Sequence, residues 1–146
     1  MYILESEESF DSAHFLADYD GKCKNIHGHR WTIRVSICGD KLQEKGAFKG
    51  MIVDFRDIKM ELKNLIDYFD HSLIIEKNSM RKITLSALKT DGFRIIEVNF
   101  RPTAENFSKY FYEYFEKRGF DVEKIMVYET TNNCAAYTKG VKYGSI

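Results

Sequence analysis

The sequence predicts an α+β domain: an antiparallel sheet with two long helices packed against one face. Three observations predict it. The stretch from Arg30 to Cys38 alternates cleanly, with Trp31, Ile33, Val35 and Ile37 on one side and Thr32, Arg34 and Ser36 on the other. Two later stretches repeat apolar residues at spacings of three and four. The last strand-like runs, Lys124 to Thr130 and Cys134 to Thr138, are joined by the short turn Thr131-Asn132-Asn133, which makes a hairpin.

Composition sets the outer bounds. The 146 residues suffice for one domain with a real core, read as a single domain over 1–146. Lys+Arg and Asp+Glu are both 22, so the net charge is zero. That balance predicts no nucleic-acid partner, because such binding needs a basic surface that releases counterions. No apolar run approaches the ~18 residues of a membrane span, so no membrane partner is expected. Met1 to Ser9 holds three glutamates and no basic segment, unlike a signal peptide. Three widely spaced cysteines do not suggest a disulfide framework. The chain therefore reads as cytoplasmic, with reduced thiols.

In chain order, Tyr2 to Leu16 reads as a strand of mixed polarity, with Phe10, Ser12, His14 and Leu16 on one face. Ala17 to Asn25 is a polar loop that delivers Cys23. After the Arg30 to Cys38 strand, Gly39 to Gly50 is charged and suits a loose hairpin connection. Asp54 caps a first helix whose stripe is Phe55, Ile58, Leu62, Leu65, Ile66 and Phe69, ending near Asp70-His71. Ser72 to Asp91 has no strong period and reads as irregular, with one helical turn around Lys82 to Leu88. Phe93 to Phe100 reads as a strand. Thr103 then caps a second helix after Pro102, with Glu105 in its first turn, where a carboxylate suits the dipole. Its stripe is Phe107, Tyr110, Phe111, Tyr114 and Phe115, and Lys117-Arg118-Gly119 stops it. An aromatic stripe at this spacing is core.

The chemistry concentrates in Lys22 to Arg30. His27 and His29 are two apart, so on a strand both imidazoles project from one face toward one ion. His-x-His is common on surface loops that bind nothing. Here, however, three of the four histidines, His14, His27 and His29, precede residue 30, with Cys23 among them. Three His and an open fourth position suit a catalytic zinc, whereas structural zinc sites are closed and thiolate-rich. Asp70-His71 offers a carboxylate that orients an imidazole as a base, though a helix end explains the pair equally well. Glu129 lies on the apolar face beside Ile125 and Val127, where a carboxylate needs partners. Thr103 and Glu105 have the plainer reading of helix capping. Cys38 and Cys134 read as small packing residues on strands.

The order of these motifs resembles the 6-pyruvoyltetrahydropterin synthase and 6-carboxytetrahydropterin synthase (QueD) family over nearly the whole chain. The resemblance rests on Phe10-Asp-Ser-Ala-His14, Cys23-x3-His27-Gly28-His29, and Gly50-Met-Ile-Val-Asp-Phe-Arg-Asp-Ile-Lys59. Asp70-His71, Pro102-Thr-Ala-Glu-Asn106, Val127-Tyr-Glu129-Thr130 and Tyr137 continue it. It implies the T-fold, whose subunits join their sheets into a barrel as trimers or hexamers. It also implies zinc on His14, His27 and His29, Cys23 as the proton-abstracting base, and Asp70-His71 from a neighbouring subunit as its relay. The implied substrate is 7,8-dihydroneopterin triphosphate. Glu105 would anchor the pterin, with Glu129 entering the same site and Thr103 beside it.

Three outcomes stay open at this point. The bacterial look of Met-Ile-Val-Asp54-Phe and the short Cys-x3-His-Gly-His spacing favour a QueD-like lyase of the queuosine pathway, releasing triphosphate and acetaldehyde. A 6-pyruvoyl synthase would stop after triphosphate elimination. A T-fold module could also keep the metal without catalysis, although such a module has little use for Cys23 and His71.

Overall fold

The structure is a computed structural model that describes residues 1–140; residues 141–146 of the expected domain lie outside the described residues. Its backbone is organised on one long hairpin. β1 (Tyr2–His14) and β2 (His27–Gly39) pair antiparallel in unbroken register, from Tyr2 opposite Gly39 to His14 opposite His27. β5 (Val122–Thr130) pairs antiparallel with β2, and β6 (Asn133–Tyr137) with β5. On the other side, β3 (Ser72–Glu76) runs parallel to β1, and β4 (Ile95–Val98) parallel to β3. The strand order is β4-β3-β1-β2-β5-β6.

The sheet is therefore mixed, which corrects the wholly antiparallel sheet that the sequence predicts. Parallel neighbours require a crossover, usually a helix. Each of these two strands follows one: α1 (Phe55–Phe69) leads into β3, and α2 (Lys82–Thr90) links β3 to β4. The apparently irregular stretch 72–91 is this crossover. A five-residue strand with adjacent Ile74 and Ile75 both buried shows no alternation, so periodicity cannot reveal it.

The two long helices form where the stripes predict, although Phe55 and Tyr110 of those stripes are exposed. Asp54 caps α1 by accepting from the Arg56 N–H at 2.8 Å. Thr103 caps α3 (Ala104–Lys117) by accepting from the Asn106 N–H at 3.3 Å. α1 buries Ile58, Leu62, Leu65, Ile66 and Phe69; α3 buries Phe107, Phe111, Tyr112 and Phe115. α1 packs on β1, and α3 on β5 and β6. Each such side chain contributes roughly 1.5–3 kcal/mol of transfer free energy, so this one face carries most of the fold's stability. Tyr112 joins it because its hydroxyl donates to the Val122 carbonyl at 2.9 Å.

Strand ends differ modestly from the sequence reading. β1 stops at His14 rather than Leu16, and β2 begins at His27 rather than Arg30. Both histidine positions thus lie within the ladder rather than in a loop. Gln43 exchanges backbone bonds with Met51 and Gly50, at 3.0 and 2.8 Å, closing the charged connection as a small hairpin loop. Cys38 is partly buried, but Cys134 is exposed on β6 and is not a packing residue. Among the described residues, no helix is long and apolar enough to cross a membrane.

Candidate active site

The core-facing side of β2 runs from Ile37 through Val35, Ile33 and Trp31 into His29 and His27. That of β1 runs through Phe10 and Ser12 to His14. Register places His14 opposite His27 and Ser12 opposite His29, so the three imidazoles sit as one direct pair and one diagonal neighbour. Trp31 backs them, its ring 5.0 Å from that of His14 and 5.5 Å from that of His29. One nitrogen from each of the three lies within 4.8 Å of the others.

The hydrogen bonds fix the tautomers. His14 Nδ1 is 2.7 Å from the Pro102 carbonyl, and His27 Nδ1 is 2.7 Å from the Asn25 carbonyl. A carbonyl only accepts, so both Nδ1 atoms carry the proton and both Nε2 atoms present lone pairs. Those two Nε2 atoms are 3.1 Å apart, and two lone pairs at that distance repel. His29 Nε2 is buried without a hydrogen-bond partner; Glu129 Oε1 is 3.5 Å away, within charge reach but too far to bond.

This donor set fits a metal cation. Two imidazole nitrogens on a tetrahedral zinc stand about 3.3 Å apart, and metal-bound histidines habitually donate their other N–H to a carbonyl or carboxylate. Burial depresses the His14 pKa to about 4, the Pro102 bond opposing it and the neighbouring His27 and His29 adding to it. Burial also lowers the His29 pKa, against the opposing charge of Glu129. Both imidazoles are thus neutral at neutral pH, the form that ligates.

Cys23 lies on the 3₁₀ turn Lys22–Lys24 and is partly buried. Its carbonyl accepts from the Leu16 N–H at 2.8 Å, which closes the loop between β1 and β2.

Asp70 and His71 form the turn from α1 into β3. The Asp70 carboxylate accepts from the Asp11 N–H at 2.9 Å and from His71 Nδ1 at 2.7 Å. The Asp11 contact, more than His71, holds the Asp70 pKa below the usual carboxylate value. His71 has φ 52, a left-handed backbone that bulky residues adopt only under constraint. Its N–H donates to the Asp11 carbonyl at 2.7 Å, and its ring is 79% exposed. Arg94, which sequence reasoning missed, clamps this turn by donating to the Asp70 carbonyl at 2.6 Å and to the Tyr68 carbonyl. A cation there satisfies the orphan carbonyls at the α1 C-terminus. No local signal marks Arg94, because its partners are 24 and 26 residues away.

His29 borders two clefts. One of about 670 Å³ has apolar walls including Ile26, Leu88 and Phe93, and it also contains His71 and Arg94. The second, about 490 Å³, holds Glu129, Tyr128, Thr130 and Arg34. The structure thus places Glu129 beside His29, and His71 in a cleft that His29 borders, while His14, His27 and Cys23 line neither cleft. It leaves Glu105 and Thr103 outside both clefts. Glu105 is exposed in the first turn of α3, and the Thr103 hydroxyl is engaged as the helix cap.

Residues 3–140 match the family model described as 6-pyruvoyl tetrahydropterin synthase. The chain belongs to this family. It is accordingly an enzyme, a lyase by class. A 6-carboxy-5,6,7,8-tetrahydropterin synthase of Haemophilus influenzae is 34% identical, covering 94% of this chain and 99% of the relative. One of Aquifex aeolicus is 36% identical, covering 80% of this chain and 75% of the relative. Among solved structures, the Caenorhabditis elegans 6-pyruvoyl tetrahydropterin synthase superposes with a TM-score of 0.67 at 22% identity, covering 95% of this chain and 96% of that one. An uncharacterized protein from Wolinella succinogenes does so with a TM-score of 0.77 at 17% identity, covering 95% and 98%. The family's T-fold is the fold of this chain.

Proposed function

We propose that this chain, as one domain, is a zinc-dependent 6-carboxy-5,6,7,8-tetrahydropterin synthase acting on 7,8-dihydroneopterin triphosphate. One water is consumed, triphosphate and acetaldehyde leave, and a 6-carboxylate remains whose second oxygen comes from that water, for the queuosine and 7-deazapurine pathway in the cytoplasm. One observation carries the reading: three imidazoles converge with one nitrogen each within 4.8 Å of the others, and His29 among them borders two clefts. The relatives at 34 and 36% identity favour the carboxy product over the pyruvoyl one.

His14, His27 and His29 would hold the ion, which supplies Lewis-acid polarisation of the substrate's side-chain oxygens. The chain's own residues do the rest. Cys23 takes and returns protons at the side-chain carbons. Asp70 holds His71 in one tautomer, leaving its Nε2 free to exchange a proton with Cys23. The resemblance to the family implies that the relay acts across a subunit boundary in a trimer or hexamer, where an exposed His71 ring is available to a neighbouring chain. Glu105 accepts the paired N–H donors of the pterin edge, where a planar carboxylate takes two bonds at once, and Glu129 enters the same substrate site. Thr103, beside Glu105 at the start of α3, would reach the substrate only where a neighbouring subunit completes the site.

The test is incubation of metal-loaded protein with 7,8-dihydroneopterin triphosphate, followed by mass analysis of the pterin. A 6-carboxy product supports the reading. A 6-pyruvoyl product, or unchanged substrate, removes it.

A further inference from the structure

We infer that Arg101 is a positioning residue, holding the Cys23 loop in register with the histidine cluster. The inference rests on the function proposed above, in which Cys23 moves the proton.

The loop between β1 and β2 has little of its own to fix it. One backbone bond closes its base, from the Leu16 N–H to the Cys23 carbonyl, and short turn bonds follow at Gly21 to Asn25. Asp18 takes φ 55, a left-handed backbone in a residue that is not glycine. Among the described residues, the arc from Ala17 to Gly21 receives one side-chain hydrogen bond from elsewhere in the chain. It comes from Arg101, whose Nη2 donates to the Ala17 carbonyl at 2.6 Å. The same guanidinium lies over the Tyr19 ring, 5.6 Å from its centroid. Tyr19 in turn packs on Gly21: a Cβ there would stand 2.7 Å from Tyr19 Cε1. Arg101, Tyr19 and Gly21 therefore make a stack that ends two residues before Cys23.

The base of the clamp is equally tied. The Arg101 carbonyl accepts from the Thr103 N–H at 2.8 Å and from Asn106 Nδ2 at 3.0 Å, which anchors it to the start of α3. The next residue, Pro102, supplies the carbonyl that orients His14. One dipeptide thus sets both a metal ligand and the cysteine loop. Arg101 Nε is buried without a hydrogen-bond partner among the described residues. A lysine could donate to Ala17, but it lacks the planar face that covers Tyr19. Small displacement of a proton-transfer group slows chemistry without loosening the bound ring.

The experiment compares wild type with Arg101→Ala and Arg101→Lys, reading kcat, KM, zinc content and hydrogen exchange of the 15–26 segment. Arg101→Ala is expected to lower kcat by about 10- to 100-fold, with KM within about twofold and zinc content unchanged. Exchange should rise over 15–26 and not over α3. Added guanidinium should restore part of the Arg101→Ala rate, and Arg101→Lys should fall between the two. Should Arg101→Ala not fold, Arg101→Gln is read in the same way. Native kcat and native exchange in these variants would overturn the inference, and so would zinc lost in proportion to activity. Raised exchange in a chain inert toward the pterin would support the clamp while removing the functional reading.

Discussion

His14 and His27 face each other across the β1–β2 pair with Nε2 atoms 3.1 Å apart, and neither nitrogen can donate to the other. Each spends its proton on a backbone carbonyl, Pro102 for one and Asn25 for the other. A cation between them turns that repulsion into two bonds. One zinc per chain is therefore expected by elemental analysis, with chelation abolishing activity and zinc restoring it. At free zinc a hundred times its dissociation constant, binding stabilises the fold by about 2.7 kcal/mol. Full activity in metal-free protein would contradict this.

The metal-free protein should lose stability in a defined acid window. Folded His14 titrates near 4 against an ordinary value of 6.5. Its folded pKa is the lower one, so the unfolded chain binds the proton first. Stability is full above pH 6.5 and falls as pH drops toward 4, by about 3 kcal/mol at most. Asp11 and Asp70, also held low, give up their share only below the carboxylate range. Urea midpoints of chelated protein between pH 7 and 4 measure this, and His14→Gln should flatten the upper part of the curve.

A relay across the subunit boundary, as the family resemblance implies, predicts a shared site. Mixing Cys23→Ala with His71→Ala protein should regenerate some active sites in hybrid oligomers, since some sites then draw both intact residues. Verified subunit exchange with no recovered turnover would place Cys23 and His71 in one chain.

Glu129 stands 3.5 Å from His29 within a cleft, whereas Glu105 faces solvent at the start of α3. Glu129→Gln should weaken substrate binding tenfold to a hundredfold, since one unpaired buried polar contact costs roughly 1–3 kcal/mol. Glu105→Gln should do the same only in the assembled oligomer. Direct titration of pterin against both variants decides each case.

Much of this was legible because it is local. The strand at Trp31 to Ile37 and the stripes of α1 and α3 carry their own period, and Asp54 and Thr103 cap where short polar side chains should. His-x-His on one face needs only strand geometry. What hid from the sequence is what depends on distant partners. β3 is short, with adjacent Ile74 and Ile75 both buried, so it lacks alternation; β4 falls within the expected strand, but the parallel pairing of both is set by the helices before them. Arg94 and Arg101 look like ordinary surface cations, yet both cap carbonyls of segments far away in the chain. Glu129 showed itself as a carboxylate on an apolar face, but its closeness to His29 emerges only through the β2–β5 pairing.

In the proposed reaction His14, His27 and His29 would hold the metal while Cys23 moves the protons that let triphosphate leave and the side chain break. Following triphosphate and acetaldehyde in one reaction, with zinc-loaded protein and 7,8-dihydroneopterin triphosphate, tests it most directly. Equal amounts of the two are predicted from wild type, with neither from Cys23→Ala that still holds its zinc. Triphosphate without acetaldehyde, or normal turnover by Cys23→Ala, would contradict it.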